Sequence, residues 1–168
     1  MLNLNGIDPS RVQRIAERLV KQKQTLAVSE SSAGGLISAA LLAVPGASAY
    51  FLGGGVIYTR KAMVALLDLT PENLTGIRSA TEPMARLLAQ TVRDRLGADW
   101  GLAETGATGP AGNRYGDAAG HACLAVAGER MASRTLETGS GDRIANMVVF
   151  ANAALELLEA TLTPSPLP

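Results

Sequence analysis

Ala27-Val28-Ser29-Glu30-Ser31-Ser32-Ala33-Gly34-Gly35, followed at once by Leu36-Ile37-Ser38-Ala39-Ala40, is the stretch whose reading decides the fold. The apolar run at 25–28 reads as a strand and 36–44 as a buried helix. Between them sit a glutamate, two serines and a pair of glycines. A strand that turns through small residues into a helix offers unpaired N–H groups and the positive end of the helix dipole. Such a turn suits an anion, or an oxyanion formed during acyl transfer, with Ser31 at its mouth. The plainer alternative is that Ser31 caps the helix and the glycines let it pack close to the sheet.

The rest of the chain is consistent with an α/β setting for this turn. Its 168 residues suit one domain, 1–162, ahead of a Pro-rich tail at 163–168 that holds no regular structure. Hydrophobic residues make up 47% but aromatics only 4%, so the core must be built from Ala, Leu and Val, with helices lying close on a sheet. Fifteen basic and fifteen acidic residues cancel, which gives no electrostatic case for binding nucleic acid. A single cysteine, Cys123, excludes an internal disulfide and fits a reducing cytoplasm. No signal-peptide pattern opens the chain, and no uninterrupted apolar run suggests a membrane span.

Outward from the turn, Asp8-Pro9-Ser10 opens a first helix with an aspartate cap and a proline in the first turn. A second strand region, 50–58, contains Gly53-Gly54-Gly55, a signal for a bulge or a close backbone approach. Thr59 caps a short helix at 60–67, and Thr81 opens a longer one that Gly97 stops. Strands follow at 99–105, 120–127 and 131–137, the last two joined by the short Gly128-Glu129-Arg130 connection of a hairpin. A final Ala- and Leu-rich helix covers 142–162. The order predicts a three-layer α/β/α sandwich around a mixed, mostly parallel sheet of about five strands. Ligands of such sheets bind beyond the carboxyl ends of the strands, where 30–35, 58–61 and 104–112 arrive. The triple-glycine strand and the Ala-rich helices would also suit contacts between copies of the chain.

Several segments together resemble the CinA C-terminal domain family. Ser29-Glu30-Ser31-Ser32-Ala33-Gly34-Gly35 is similar to its A-E-S-C-T-G-G signature, and Val44-Pro45-Gly46-Ala47-Ser48-Ala49 to its V-P-G-S-S-A segment. The stretch 57–63 aligns with T-Y-S-N-E-A-K, Thr105-Gly106-Ala107-Thr108-Gly109-Pro110 with T-G-I-A-G-P, and Gly141-Asp142-Arg143 with a late G-D-R. Characterised members hydrolyse nicotinamide mononucleotide to nicotinate mononucleotide and ammonia. The resemblance implies that Ser31 is the nucleophile, that backbone N–H groups at the helix start hold the oxyanion, and that Thr105 and its glycine loop line the nucleotide pocket. Glu30, Ser32, Gly34, Gly35, Tyr58, Lys61, Glu104, Gly106, Gly109 and Arg143 complete the expected small-molecule site. Neither a cofactor nor a metal is implied.

Two positions depart from the family. Its lysine, the last letter of Y-S-N-E-A-K, falls on Met63, and its substrate-binding arginine on Met147. A thioether neither accepts the serine proton in this role nor carries a charge for a phosphate. Lys61 lies about 200° around the helix from Met63 and points away. Glu30 and Glu104 stand at strand ends as candidate bases; the structural alternatives are a helix-capping carboxylate for Glu30 and an ion partner of Lys61 or Arg143 for Glu104. His121, the one histidine, is either structural or part of a Ser-His-Asp arrangement. The sequence thus supports a serine amidohydrolase, attenuated by the lost base, or a non-catalytic relative that binds a small molecule or a partner. A dinucleotide oxidoreductase ranks behind both, because no G-x-G-x-x-G joins a strand to a helix.

Overall fold

A computed structural model describes residues 6–163. Helix α1 (Pro9–Gln22) starts at Asp8, whose carboxylate accepts from the N–H groups of Ser10 (3.0 Å) and Arg11 (3.2 Å). Strand β1 (Leu26–Glu30) is buried along its whole length and leads to α2 (Leu36–Leu42). Strand β2 (Phe51–Val56) leads to α3 (Arg60–Leu67), which Thr59 caps by accepting from Ala62 N–H at 3.1 Å. Thr81 caps α4 (Glu82–Leu96), and left-handed Gly97 ends it. Strands β3 (Trp100–Ala107), β4 (His121–Ala127) and β5 (Met131–Glu137) precede α5 (Arg143–Leu162), which starts at the Asp142 cap. Several bounds differ by one or two residues from the sequence reading, β2 for instance spanning Phe51–Val56 within the expected 50–58. Helix α2 ends at Leu42, and β3 runs on past Thr105 to Ala107.

The five strands form one mixed sheet in the order β2-β1-β3-β4-β5. Strand β1 is parallel to β2 and β3, while β4 is antiparallel to β3 and β5, so the pairings divide evenly between the two kinds. The register irregularity of β2 falls ahead of its glycines: Leu26 pairs with Phe51 and Ala27 with Gly53. The crossovers out of β1 and back into β3 run in opposite directions along the sheet, so one handedness rule places their helices on opposite faces. Ser29 pairs with Ala103, which brings the end of β1 level with Glu104 on β3.

Helices α1, α2 and α5 cover one face, over Leu26, Val28, Leu102, Leu124 and Val126. Helices α3 and α4 cover the other, over Ala27, Ala103, Cys123, Ala125 and Ala127. The small residues on that second face let α4 lie close: a Cβ on Gly101 would come within 2.0 Å of the Ala89 carbonyl oxygen. Each fully buried Leu, such as Leu88 and Leu102, contributes about 1.5–3 kcal/mol. Helix α5 corrects the expectation about apolar runs, since it is long and apolar enough to cross a membrane. Phe150, Ala151, Leu155 and Leu158 are nevertheless buried in the core, and that packing explains its composition. Of the expected tail, Thr163 has extended backbone, and 164–168 lie outside the described residues.

Candidate functional site

Gly34 and Gly35 both adopt the left-handed conformation, at φ 68° and 99°, so α2 starts at Leu36 and its cap is Gly35. Ser31 therefore does not cap the helix. That work falls to Glu30, whose carboxylate accepts from the N–H groups of Gly35 (3.0 Å), Ile37 (3.0 Å) and Ser38 (2.8 Å) and from the Ser38 hydroxyl (2.6 Å). The loop itself is held from the neighbouring strand. Glu104 Oε2 accepts from the N–H groups of Ser31 (2.9 Å) and Ala33 (2.8 Å), and Oε1 hydrogen-bonds the Ser32 hydroxyl. Glu104 thus serves neither Lys61 nor Arg143, its two expected ion partners.

Both carboxyls are fully buried. Desolvation pushes the Glu104 pKa above the ordinary carboxylate value, against the pull of its three donors and reinforced by the charge of Glu30. Together the two side chains take five backbone N–H groups, three of them, on Gly35, Ile37 and Ser38, at the helix start where an oxyanion was expected. Ser31 is 8% exposed, and its hydroxyl has no side-chain hydrogen-bond partner among the described residues. Met147 lies over this loop: a Cβ on Gly34 would come within 2.7 Å of the Met147 methyl carbon. Met63 is buried among Leu67, Leu69 and Met84.

The remaining candidates fall into separate groups. Arg143 donates to the Gly109 carbonyl at 2.8 Å and lies 3.4 Å from the Tyr58 hydroxyl, which joins three expected residues at the sheet's carboxyl end. Consecutive strand residues face opposite ways, so Thr105 turns toward α4, beside Cys123, while Glu104 faces the α2 side. Gly106 packs against β4, where a Cβ would meet the His121 carbonyl oxygen at 2.5 Å. Lys61 is exposed on α3 and makes no ion pair among the described residues.

His121 does not serve Ser31. Its Nε2 faces the Ala80 carbonyl at 2.8 Å and its Nδ1 the Glu137 carboxylate. An acceptor on each nitrogen favours the doubly protonated ring. Burial opposes the charge, but Glu137, the Ala80 carbonyl and Asp117 outweigh it and raise the pKa. Sequence reasoning missed Asn146. Its amide donates to the carbonyls of Thr108 (2.8 Å) and Ser140 (2.7 Å), and its oxygen accepts from the Thr138 hydroxyl (2.7 Å), tying two loops to α5. An amide on the buried stripe of an otherwise apolar helix was the available signal.

Comparisons with known proteins address the family and the fold. The CinA C-terminal domain profile matches residues 9–162. A CinA-like protein of Gloeobacter violaceus is 42% identical over 113 residues, 67% of this chain and 26% of that protein. One from Myxococcus xanthus is 34% identical over 165 residues, 97% of this chain and 39% of that protein. The chain therefore spans well under half the length of these relatives. Among solved structures, the competence or damage-inducible protein from Enterobacter asburiae superposes with a TM-score of 0.87 at 28% identity, covering 95% of this chain and 100% of that one. The chain belongs to the CinA C-terminal domain family.

Proposed function

We propose that this chain is a ligand-binding member of its family, which holds a small carboxamide or related molecule without efficient turnover through Ser31. The observation that carries this reading is the Glu104 carboxyl on the N–H groups of Ser31 and Ala33. A tetrahedral oxyanion would need those donors and would meet a carboxyl group instead. Losing one such donor costs about 10²–10³ in rate, and losing acid–base assistance about 10²–10⁴. Here both losses fall on the same serine. The experiment is ammonia release from nicotinamide mononucleotide by purified protein beside Ser31→Ala. The expected result is no difference between the two; release that disappears in Ser31→Ala would overturn the reading.

One observation favours a second reading, a serine amidohydrolase run from the neighbouring residue. The Ser32 hydroxyl hydrogen-bonds Glu104 Oε1 in a fully buried setting, the arrangement of a nucleophile and its base. In that reaction the Ser32 oxygen bonds the carboxamide carbon while its proton passes to Glu104. The proton then moves to the leaving nitrogen as the C–N bond breaks and ammonia departs, and water cleaves the resulting ester. Ammonia release abolished by Ser32→Ala but kept by Ser31→Ala would select this reading.

A further inference from the structure

The connection from α3 to α4, residues 68–80, is pinned near its end by one imidazole. His121 on β4 is buried, with Nε2 2.8 Å from the Ala80 carbonyl oxygen and Nδ1 on the Glu137 carboxylate of β5. Ala80 itself is left-handed, at φ 55°, a conformation that an alanine keeps where its surroundings impose it. Among the described residues its carbonyl has one further donor, the Cys123 thiol at 3.5 Å. A thiol is a weak donor, and this one also faces the Thr135 hydroxyl at 3.5 Å.

Two more contacts tie the connection to segments at the carboxyl end of the sheet. Arg78 makes a two-pronged pair with Asp117 of the β3–β4 loop, and the Ile77 carbonyl accepts from Arg60, at the start of α3, at 3.1 Å. The charged groups around the imidazole come from every neighbouring element. Glu137 approaches from β5, and Asp117, 4.0 Å from Nε2, from the loop with its partner Arg78. On α4, Glu82 is taken by the Ser133 and Thr135 hydroxyls and by Arg86. On β4 itself, burial pushes the Cys123 thiol up, so it stays neutral.

We propose that His121 is a pH-sensitive latch, which when protonated holds the 68–80 connection by the Ala80 carbonyl and on losing its proton lets that connection open locally. A neutral imidazole carries one N–H. The charged Glu137 keeps it, so a lone pair on Nε2 then faces the Ala80 oxygen. That repulsion acts on a backbone already in an unfavourable conformation. Burial opposes the ring's charge, but Glu137, the Ala80 carbonyl and Asp117 raise its pKa, so the latch is closed below the ordinary imidazole value and opens as pH climbs through the raised one. Opening loosens the ties to Arg60 and Asp117, and with them the start of α3 and the β3–β4 loop. The device stands whether or not the binding reading above does.

His121 is the one histidine of the chain, so its ring signals in NMR follow a single titration. The test tracks that titration from pH 6 to 8.5 beside hydrogen-exchange protection of the Leu74, Thr75 and Ile77 amides, corrected for intrinsic exchange. These amides bond to carbonyls within the connection, while those of Val28 and Leu102, in the central strands, report global unfolding. Protection in the connection is expected to fall about tenfold as the ring deprotonates, with the ring's own midpoint. Low urea should leave it unchanged while lowering protection of the core amides, which marks a local opening. Glu137→Gln, at an exposed position, should move the ring's midpoint and the connection's to lower pH together, and His121→Gln should remove the pH dependence. Protection that stays level through the ring's titration, follows urea as the core amides do, or keeps its pH dependence in His121→Gln would each overturn the latch. So would a shifted ring midpoint in Glu137→Gln that the connection does not follow.

Discussion

Glu104 reaches from β3 to hydrogen-bond the backbone N–H of Ser31 at 2.9 Å, so the loop at Ser31 is clamped by a carboxyl group from the next strand. Removing that carboxyl leaves the Ser31 and Ala33 N–H groups and the Ser32 hydroxyl without their partner. Glu104→Ala should cost at least about 2 kcal/mol in urea denaturation, because a buried unsatisfied donor alone costs about 1–3. Glu104→Gln keeps an acceptor for the two N–H groups and a donor for Ser32, and should cost less.

The pH dependence of the same group has a defined sign. Its pKa is raised in the folded protein, so its stabilising contribution is full below the ordinary carboxylate value and declines as pH rises through the folded pKa. Stability measured from pH 4 upward should therefore fall more steeply in the wild type than in Glu104→Gln. Equal slopes would show that Glu104 is ionised at little cost.

How far this site was legible follows from the range of each contact. Asp8, Thr59, Thr81 and Gly97 act within a few residues of their own helices, and the sequence placed all four correctly, while Asp142, read as the first residue of its helix, caps it instead. Glu30 is similar: its capping contacts lie five to eight residues away, and a capping carboxylate was one of its two readings. Glu104 is different, because its partners are set by the β1–β3 register across more than seventy residues. Its isolation from Lys61 and Arg143 became visible only with that register. Ser31 looked like a cap because serines commonly are, but two consecutive left-handed glycines delay the helix to Leu36.

Met63, where the resemblance implies a lysine, makes a separate test. Its side chain lies in the apolar cluster under α3 and α4. Met63→Lys should lower stability by about 1–3 kcal/mol, as expected for a polar group placed among Leu67, Leu69 and Met84 without a partner. Ammonia release from nicotinamide mononucleotide should stay at background, since Glu104 still occupies the donors. Gain of turnover in this variant would mean that the clamp yields to substrate.

His121 predicts loss of stability at alkaline pH. Its raised pKa means that the folded state favours the cation, so the contribution is full below the ordinary imidazole value and is lost as pH climbs through the folded pKa. Thermal denaturation from pH 6 to 9 should show this decline in the wild type. In His121→Gln, which carries no titrating proton, the curve should be flatter over the same interval.

Asn146 offers the sharpest single-atom test of the loop framework. Its side-chain nitrogen donates to two carbonyls, of Thr108 and Ser140, from a residue only 1% exposed. Asn146→Asp preserves the shape but turns that donor into an oxygen facing two oxygens. The carboxyl must then take up a proton or repel both loops, so stability at neutral pH should fall by at least about 2 kcal/mol. The loss should shrink as pH drops and the carboxyl protonates, which restores one donor. A pH-independent loss would overturn this account, since the substitution keeps the oxygen that accepts from the Thr138 hydroxyl, and urea denaturation at pH 5 and pH 8 separates the two outcomes.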